Sequence, residues 1–157
     1  MTDASPPRAR ITAAAATLLG TLQDRHGPLM FHQSGGCCDG SSPMCYLDGE
    51  FIVGDRDVLL GVLQGAPVWI SGSQFETWKH TQLIIDVVPG RGGGFSLEAP
   101  EGLRFLSRGR AFSSAEVELL LADPPLTGAA YQAGARPRDR DDVLVADAAD
   151  ACQVPVL

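Results

Sequence analysis

The sequence predicts an α+β fold: a compact, mainly antiparallel sheet with an N-terminal helix and a C-terminal helix. Three observations predict it. Runs of β-branched and aliphatic residues of strand length, such as "PVWI" and "QLIIDVVPG", fill the middle of the chain. Two stretches with helix start or stop signals, "ITAAAATLLGTLQDRHG" and "SSAEVELLLADPP", stand before and after them. The length of 157 residues, with 45% hydrophobic and 20% charged, fits one domain around one substantial core.

Residues 1–10, "MTDASPPRAR", lack any periodicity and read as a mobile leader. The single globular domain is expected over 11–135. Its first element, "ITAAAATLLGTLQDRHG", is rich in helix formers and stops at Gly27. "PLMF" reads as a short strand that enters "HQSGGCCDGSSPMCY", a stretch dominated by the turn formers Gly35, Gly36, Asp39, Gly40, Ser41, Ser42 and Pro43. "EFIVG", "DVLLGVL" and "PVWI" follow as strands. In "SGSQFETWKHT", Ser73 and Glu76 stand at capping-box spacing and predict a short helix, with Phe75 and Trp78 turned to the core. "QLIIDVVPG" is the clearest strand. "FSLE" and "LRFL" alternate apolar with polar residues as strands do, and Ser113 with Glu116 predicts a capped helix that Pro124 stops. Residues 136–157 form a charged, flexible tail whose "VLVA" segment is either disordered or docks on a partner.

The formal net charge of -7 excludes nonspecific nucleic-acid binding as a function class, since phosphate neutralisation needs a surplus of Lys and Arg. No basic patch stands out along the chain. The N-terminus lacks the apolar core of a signal peptide, and "ITAAAATLL" is too short to span a membrane, so the expected location is the cytoplasm. Stable disulfides are unusual there, and clustered thiols lean toward metal or redox chemistry.

Three of the four cysteines, Cys37, Cys38 and Cys45, crowd into one segment with His32. Adjacent cysteines seldom bridge each other, so Cys45 is the expected disulfide partner of Cys37 or Cys38, a short redox-sensitive closure. Zinc takes four sulfur or nitrogen ligands, and Cys37, Cys38, Cys45, His32 and His80 are the metal-ligand candidates, although their spacing fits no standard zinc motif. Iron through Cys, His and Asp86 is a further choice. A third is a thiol nucleophile, Cys37, Cys38 or Cys45, activated by backbone N–H groups of the Gly-rich loop with His32 or His80 as base. A fourth assigns all three thiols to a tight structural turn.

Asp86 interrupts an apolar strand, where an unpaired carboxylate is costly. Its expected partner is Arg91, Arg104, His80 or a metal. "GRGGG" lacks the strand-to-helix setting of a dinucleotide fingerprint, so no nucleotide is expected, and its glycines serve a tight connection.

The segments "FHQSGGCCDGSSPMCY", "WKHTQLIIDVVPGRGGGFSLE" and "EGLRFLSR" together resemble the bacterial DUF779 family. The resemblance implies company with NAD-dependent aldehyde dehydrogenases, and hence an accessory or binding protein with the cysteine-rich loop as a metal (zinc or iron) or redox site. A small thiol-dependent enzyme of aldehyde or redox metabolism and a purely structural subunit are the alternatives. The order of the Gly-Cys loop, "LIIDVV" and "GFSLEAPEG" also resembles the HesB-like iron–sulfur carrier fold, without that family's later Cys-x-Cys pair. An aldehyde dehydrogenase is the implied partner, with neither nucleic acid nor membrane expected and a homo-oligomer left open.

Overall fold

The computed structural model describes residues 5–33, 43–90, 96–137 and 145–146. In chain order these form β1 (Ala9–Thr12), α1 (Ala13–His26), β2 (Leu29–Gln33), β3 (Met44–Leu47), β4 (Val58–Leu63), β5 (Ala66–Ile70) and α2 (Gly72–Trp78). Then come β6 (Thr81–Pro89), a 3-10 turn (Ala99–Glu101), β7 (Leu103–Ala111), α3 (Ser114–Leu121), α4 (Gly128–Gln132) and β8 (Val145–Ala146). The α+β expectation holds. Two four-stranded sheets carry the fold, one ordered β7-β6-β1-β8 and the other β3-β2-β5-β4. The β6–β7, β2–β3 and β4–β5 pairs are antiparallel, whereas β1 runs parallel to both β6 and β8 and β2 runs parallel to β5.

Local chemistry explains most boundaries. Thr12 caps α1 by accepting from the Ala15 N–H, and Gly27 at φ 86° ends it while donating back to the Gln23 carbonyl. The β4–β5 hairpin closes on Gln64 and Gly65, both at positive φ (50° and 81°), the backbone a tight two-residue turn requires. Ser113 and Glu116 form the reciprocal capping box of α3. In α2 the cap is Ser71, which accepts from the Gln74 N–H, so the helix starts two residues earlier than the Ser73–Glu76 spacing predicts.

The sheets share one apolar core. Ile11, Leu83, Ile85 and Phe105 of the first sheet meet Leu29, Phe31, Val68 and Ile70 of the second, and Ala15, Leu18, Leu19 and Leu22 of α1 close it. Phe31 stands edge-on to Phe105 with ring centroids 5.0 Å apart. Trp78 and Phe75 join this core, as the sequence predicts. The opposite face of the second sheet, with Met30, Leu59 and Trp69, is covered by Phe51, Val53, Leu126 and Tyr131.

Four expectations need correction. The stretch 1–10 is not a free leader from Ser5 onward: Ser5 Oγ donates to Asp123, Arg8 donates to the Leu120 and Asp123 carbonyls, and Ala9 opens β1. "EFIVG" is not a strand, because Phe51 and Val53 lie as a cover on the second sheet rather than pairing within it. Ser96–Glu98 is likewise a bend leading into the 3-10 turn. Within the expected tail, Val145 and Ala146 pair with Ile11 and Thr12, so the second half of "VLVA" reaches this chain's own sheet.

Candidate functional site

The thiol-rich connection leaves β2 after Gln33 and returns at β3. Register places Phe31 opposite Cys45 and His32 opposite Met44, so the base of this hairpin sends alternate side chains to its two faces.

On the inner face, Gln33 is fully buried, and its Oε1 accepts from Ser107 Oγ of β7 at 2.6 Å. Cys45 is a free thiol within the core. Burial, then the negative charge of Glu98, pushes its pKa up to about 12. Ser96 Oγ accepts from the Cys45 N–H at 2.9 Å and donates to Glu98 Oε1. Glu98 Oε2 accepts from the Phe105 N–H at 3.0 Å. A fully buried carboxylate thus ties β3 to β7 through two donors, as a buried charge requires.

On the outer face, His32 is buried between strands, its ring 4.3 Å from Phe51. Its Nε2 lies 3.1 Å from Asp57 Oδ2, and Asp57 is itself held by the Gly54 N–H at 2.9 Å. The Nδ1 atom is buried with no hydrogen-bond partner among the described residues. A carboxylate on one ring nitrogen and an uncommitted second nitrogen is the posture of an oriented imidazole that binds a metal or handles a proton.

Cys37 and Cys38 lie outside the described residues, as does Arg91. Cys45 points into the core, so the structure separates its side chain from solvent-facing thiol chemistry. His80 is exposed where the chain enters β6, the end opposite the connection to Ser96, with about 27 Å of strand between. Among the described residues no three His, Cys, Asp or Glu side chains gather as a metal-binding group.

Asp86 is 6% exposed, and among the described residues its partners are Arg108, Thr12 and the Val87 backbone. Its Oδ2 accepts from Arg108 Nε at 2.6 Å, and its Oδ1 accepts from Thr12 Oγ1 at 2.9 Å and the Val87 N–H at 2.8 Å. Burial pushes its pKa up, but these bonds and the Arg108 charge outweigh it and hold the carboxyl below its ordinary range. Arg108 sits opposite Ile84, one diagonal step from Asp86 on the same sheet face. Of the expected partners, Arg91 lies outside the described residues.

Sequence reasoning missed Asp57, Ser96, Glu98, Gln33 and Ser107. Only Gln33, next to the Gly-Cys run, carried a signal, that of a polar residue closing an apolar strand.

The chain belongs to the DUF779 family, whose model, described as a domain of unknown function, matches residues 18–111. That span runs from α1 to the end of β7 and includes the whole thiol-rich connection and its supports. No curated protein and no solved structure matches the chain, so the resemblance to the HesB-like carriers finds no support there. Among the described residues no helix is long and apolar enough to cross a membrane.

Proposed function

We propose that this protein is an accessory or binding protein acting with an NAD-dependent aldehyde dehydrogenase, and that the connection between β2 and β3 is its metal or redox site. One observation carries the choice of site: the base of the connection is pinned on both faces, by Gln33 to Ser107 and by His32 to Asp57. Reacting groups need neighbours that hold them in place, and rigid strands supply these better than a free loop. His32 Nδ1 is the described donor that suits a metal or a proton at this end of the fold. The thiols available to join it are Cys37 and Cys38 rather than Cys45, whose raised pKa and burial keep it protonated. The reading as a thiol enzyme with Cys45 as nucleophile loses its thiolate for the same reason. The dehydrogenase enters through the resemblance implied by "FHQSGGCCDGSSPMCY" and its companion segments.

Metal analysis of the protein purified without chelator tests the site. Zinc or iron approaching one equivalent is expected, with loss in Cys37→Ser, Cys38→Ser and His32→Ala and retention in Cys45→Ser. Metal-free protein whose Cys37 and Cys38 also show no reversible oxidation would end the site reading. Co-purification with the dehydrogenase and a change in its turnover test the accessory role separately. Neither association nor an effect, in reducing and oxidising buffer alike, would remove it.

A further inference from the structure

The two ring nitrogens of His32 meet different surroundings, and Asp57 is the reason. His32 stands between Met44 of β3 and Trp69 of β5 in the second sheet, and Phe51 lies against its ring at 4.3 Å. Its side chain is 4% exposed, which leaves the ring little room to swing. Nε2 lies 3.1 Å from Asp57 Oδ2, whereas Nδ1 is buried with no hydrogen-bond partner among the described residues. Turning the ring over would set carbon Cε1 against the carboxylate and forfeit the bond, so hydrogen bonding decides which nitrogen faces which way. Asp57 is itself held at three points. Its N–H donates to the Gly54 carbonyl at 3.1 Å, its own carbonyl accepts from the Gly128 N–H at 2.7 Å, and Oδ2 accepts from the Gly54 N–H at 2.9 Å. One oxygen thus faces both Gly54 and His32. A carboxylate only accepts hydrogen bonds, so Nε2 carries the proton and the lone pair of the neutral ring lies on Nδ1.

We infer that Asp57 is the positioning residue of this site: it holds the His32 proton on Nε2 and so assigns Nδ1 as the atom that takes a borderline divalent cation, zinc or cobalt(II). The inference rests on the reading of this end of the fold as a metal site. An imidazole that binds a metal commonly donates its other N–H to a carboxylate or carbonyl, which fixes the tautomer, aims the ring and makes the ligating nitrogen more basic. Asp57 meets each of those needs, because its three anchors leave the carboxylate one place to stand. The position of an acceptor, rather than its charge, sets the tautomer. An amide oxygen in the place of Oδ2 can take the same two N–H groups, so Asp57→Asn keeps the tautomer that Asp57→Ala loses. A carboxylate that merely filled space beside a buried ring would leave both tautomer and metal affinity indifferent to that choice.

The test is long-range proton–nitrogen NMR of the metal-free, reduced full chain in alkaline buffer, with His32 assigned through His32→Gln, followed by titration with cobalt(II). Expected for the wild type and for Asp57→Asn is the Nε2–H form, and for Asp57→Ala a mixture of the two neutral forms. Cobalt is expected to bind the wild type with the Nε2–H proton still observable and paramagnetically shifted. Binding about tenfold or more weaker is expected in Asp57→Ala, with a smaller loss in Asp57→Asn. Circular dichroism checks the fold of each variant. Should Asp57→Ala fail to fold, the wild-type tautomer and the fate of its Nε2–H proton under cobalt decide instead. A wild-type ring protonated on Nδ1, cobalt that removes the Nε2–H proton or leaves the His32 signals unmoved, or equal affinity in all three chains overturns the inference while leaving the protein a metal binder. An Nε2–H ring with no cobalt on any chain is instead the failure of the metal reading, and it overturns the ligand assigned to Nδ1 with it.

Discussion

Cys45 shows how one side chain's setting decides its chemistry. Its thiol pKa is raised from an ordinary 9.0 to about 12 by burial and by Glu98, so the folded chain keeps a proton that the unfolded chain releases. This contribution to stability is complete below pH 9 and is lost as pH climbs from there toward 12. Denaturant melts across that window are expected to show falling stability, and Cys45→Ala to flatten the slope while lowering stability at neutral pH. Iodoacetamide at pH 8 is expected to spare Cys45 until the chain unfolds. Asp86 behaves oppositely. Its lowered pKa means that its contribution is complete above about pH 3.9 and is lost as pH falls below that value. Asp86→Ala is expected to cost about 2 to 4 kcal/mol by thermal or urea unfolding, since it removes the carboxylate to which Arg108 Nε and Thr12 Oγ1 donate. The lower part of that range applies if Arg108, a quarter exposed, recovers water.

At the scale of elements, contacts as local as a cap were legible and contacts set by distant chain were not. Ser113 and Glu116 announced α3, and the β-branched run around Asp86 announced β6, because both signals lie within a few residues. The short apolar run "EFIVG" and the alternation of "FSLE" were read as strands, yet Phe51 packs over Tyr46 and His32 while Glu98 turns inward to Ser96 and Phe105. Alternation tells which residues seek burial, not what buries them. β3 was hidden because Gly and Ser dominate the segment before it, and α4 because its five residues are too few for a periodic signal. α4 nevertheless fixes the turn that holds His32. The Gly128 N–H donates to the Asp57 carbonyl at 2.7 Å, and a Cβ at Gly128 would meet the Gly54 carbonyl oxygen at 1.9 Å. Gly128→Ala is therefore expected to lower stability by about 2 kcal/mol or more and to loosen His32, seen as a shift of its imidazole resonances in NMR.

For the whole molecule, the sheet face shared by Arg10, Arg104, Arg108 and Arg110 is the clearest case of information present in the sequence but unreadable along it. Arg10, Arg104, Arg108 and Arg110 come from both ends of the domain, and only the β1–β6–β7 register brings them together. The tail divides in the same way. Arg136 lies 3.8 Å from the Tyr131 ring centroid and belongs to the body, while β8 adds only Val145 and Ala146 to the edge of the first sheet. Deleting residues 138–157 is expected to leave a cooperative unfolding transition shifted by a few degrees, because a two-residue edge pairing adds little to a core this size. If the accessory reading holds, the same deletion weakens co-purification with the dehydrogenase, measured by affinity pull-down of the defined pair.

β7 presents Ser107 to one side of its sheet and Arg108 to the other. Ser107 grips Gln33, where the thiol-rich connection begins, and Arg108 grips Asp86 on the other face of the sheet. A substitution that displaces β7 is thus expected to disturb both grips together, because one strand is the common wall of two differently built neighbourhoods.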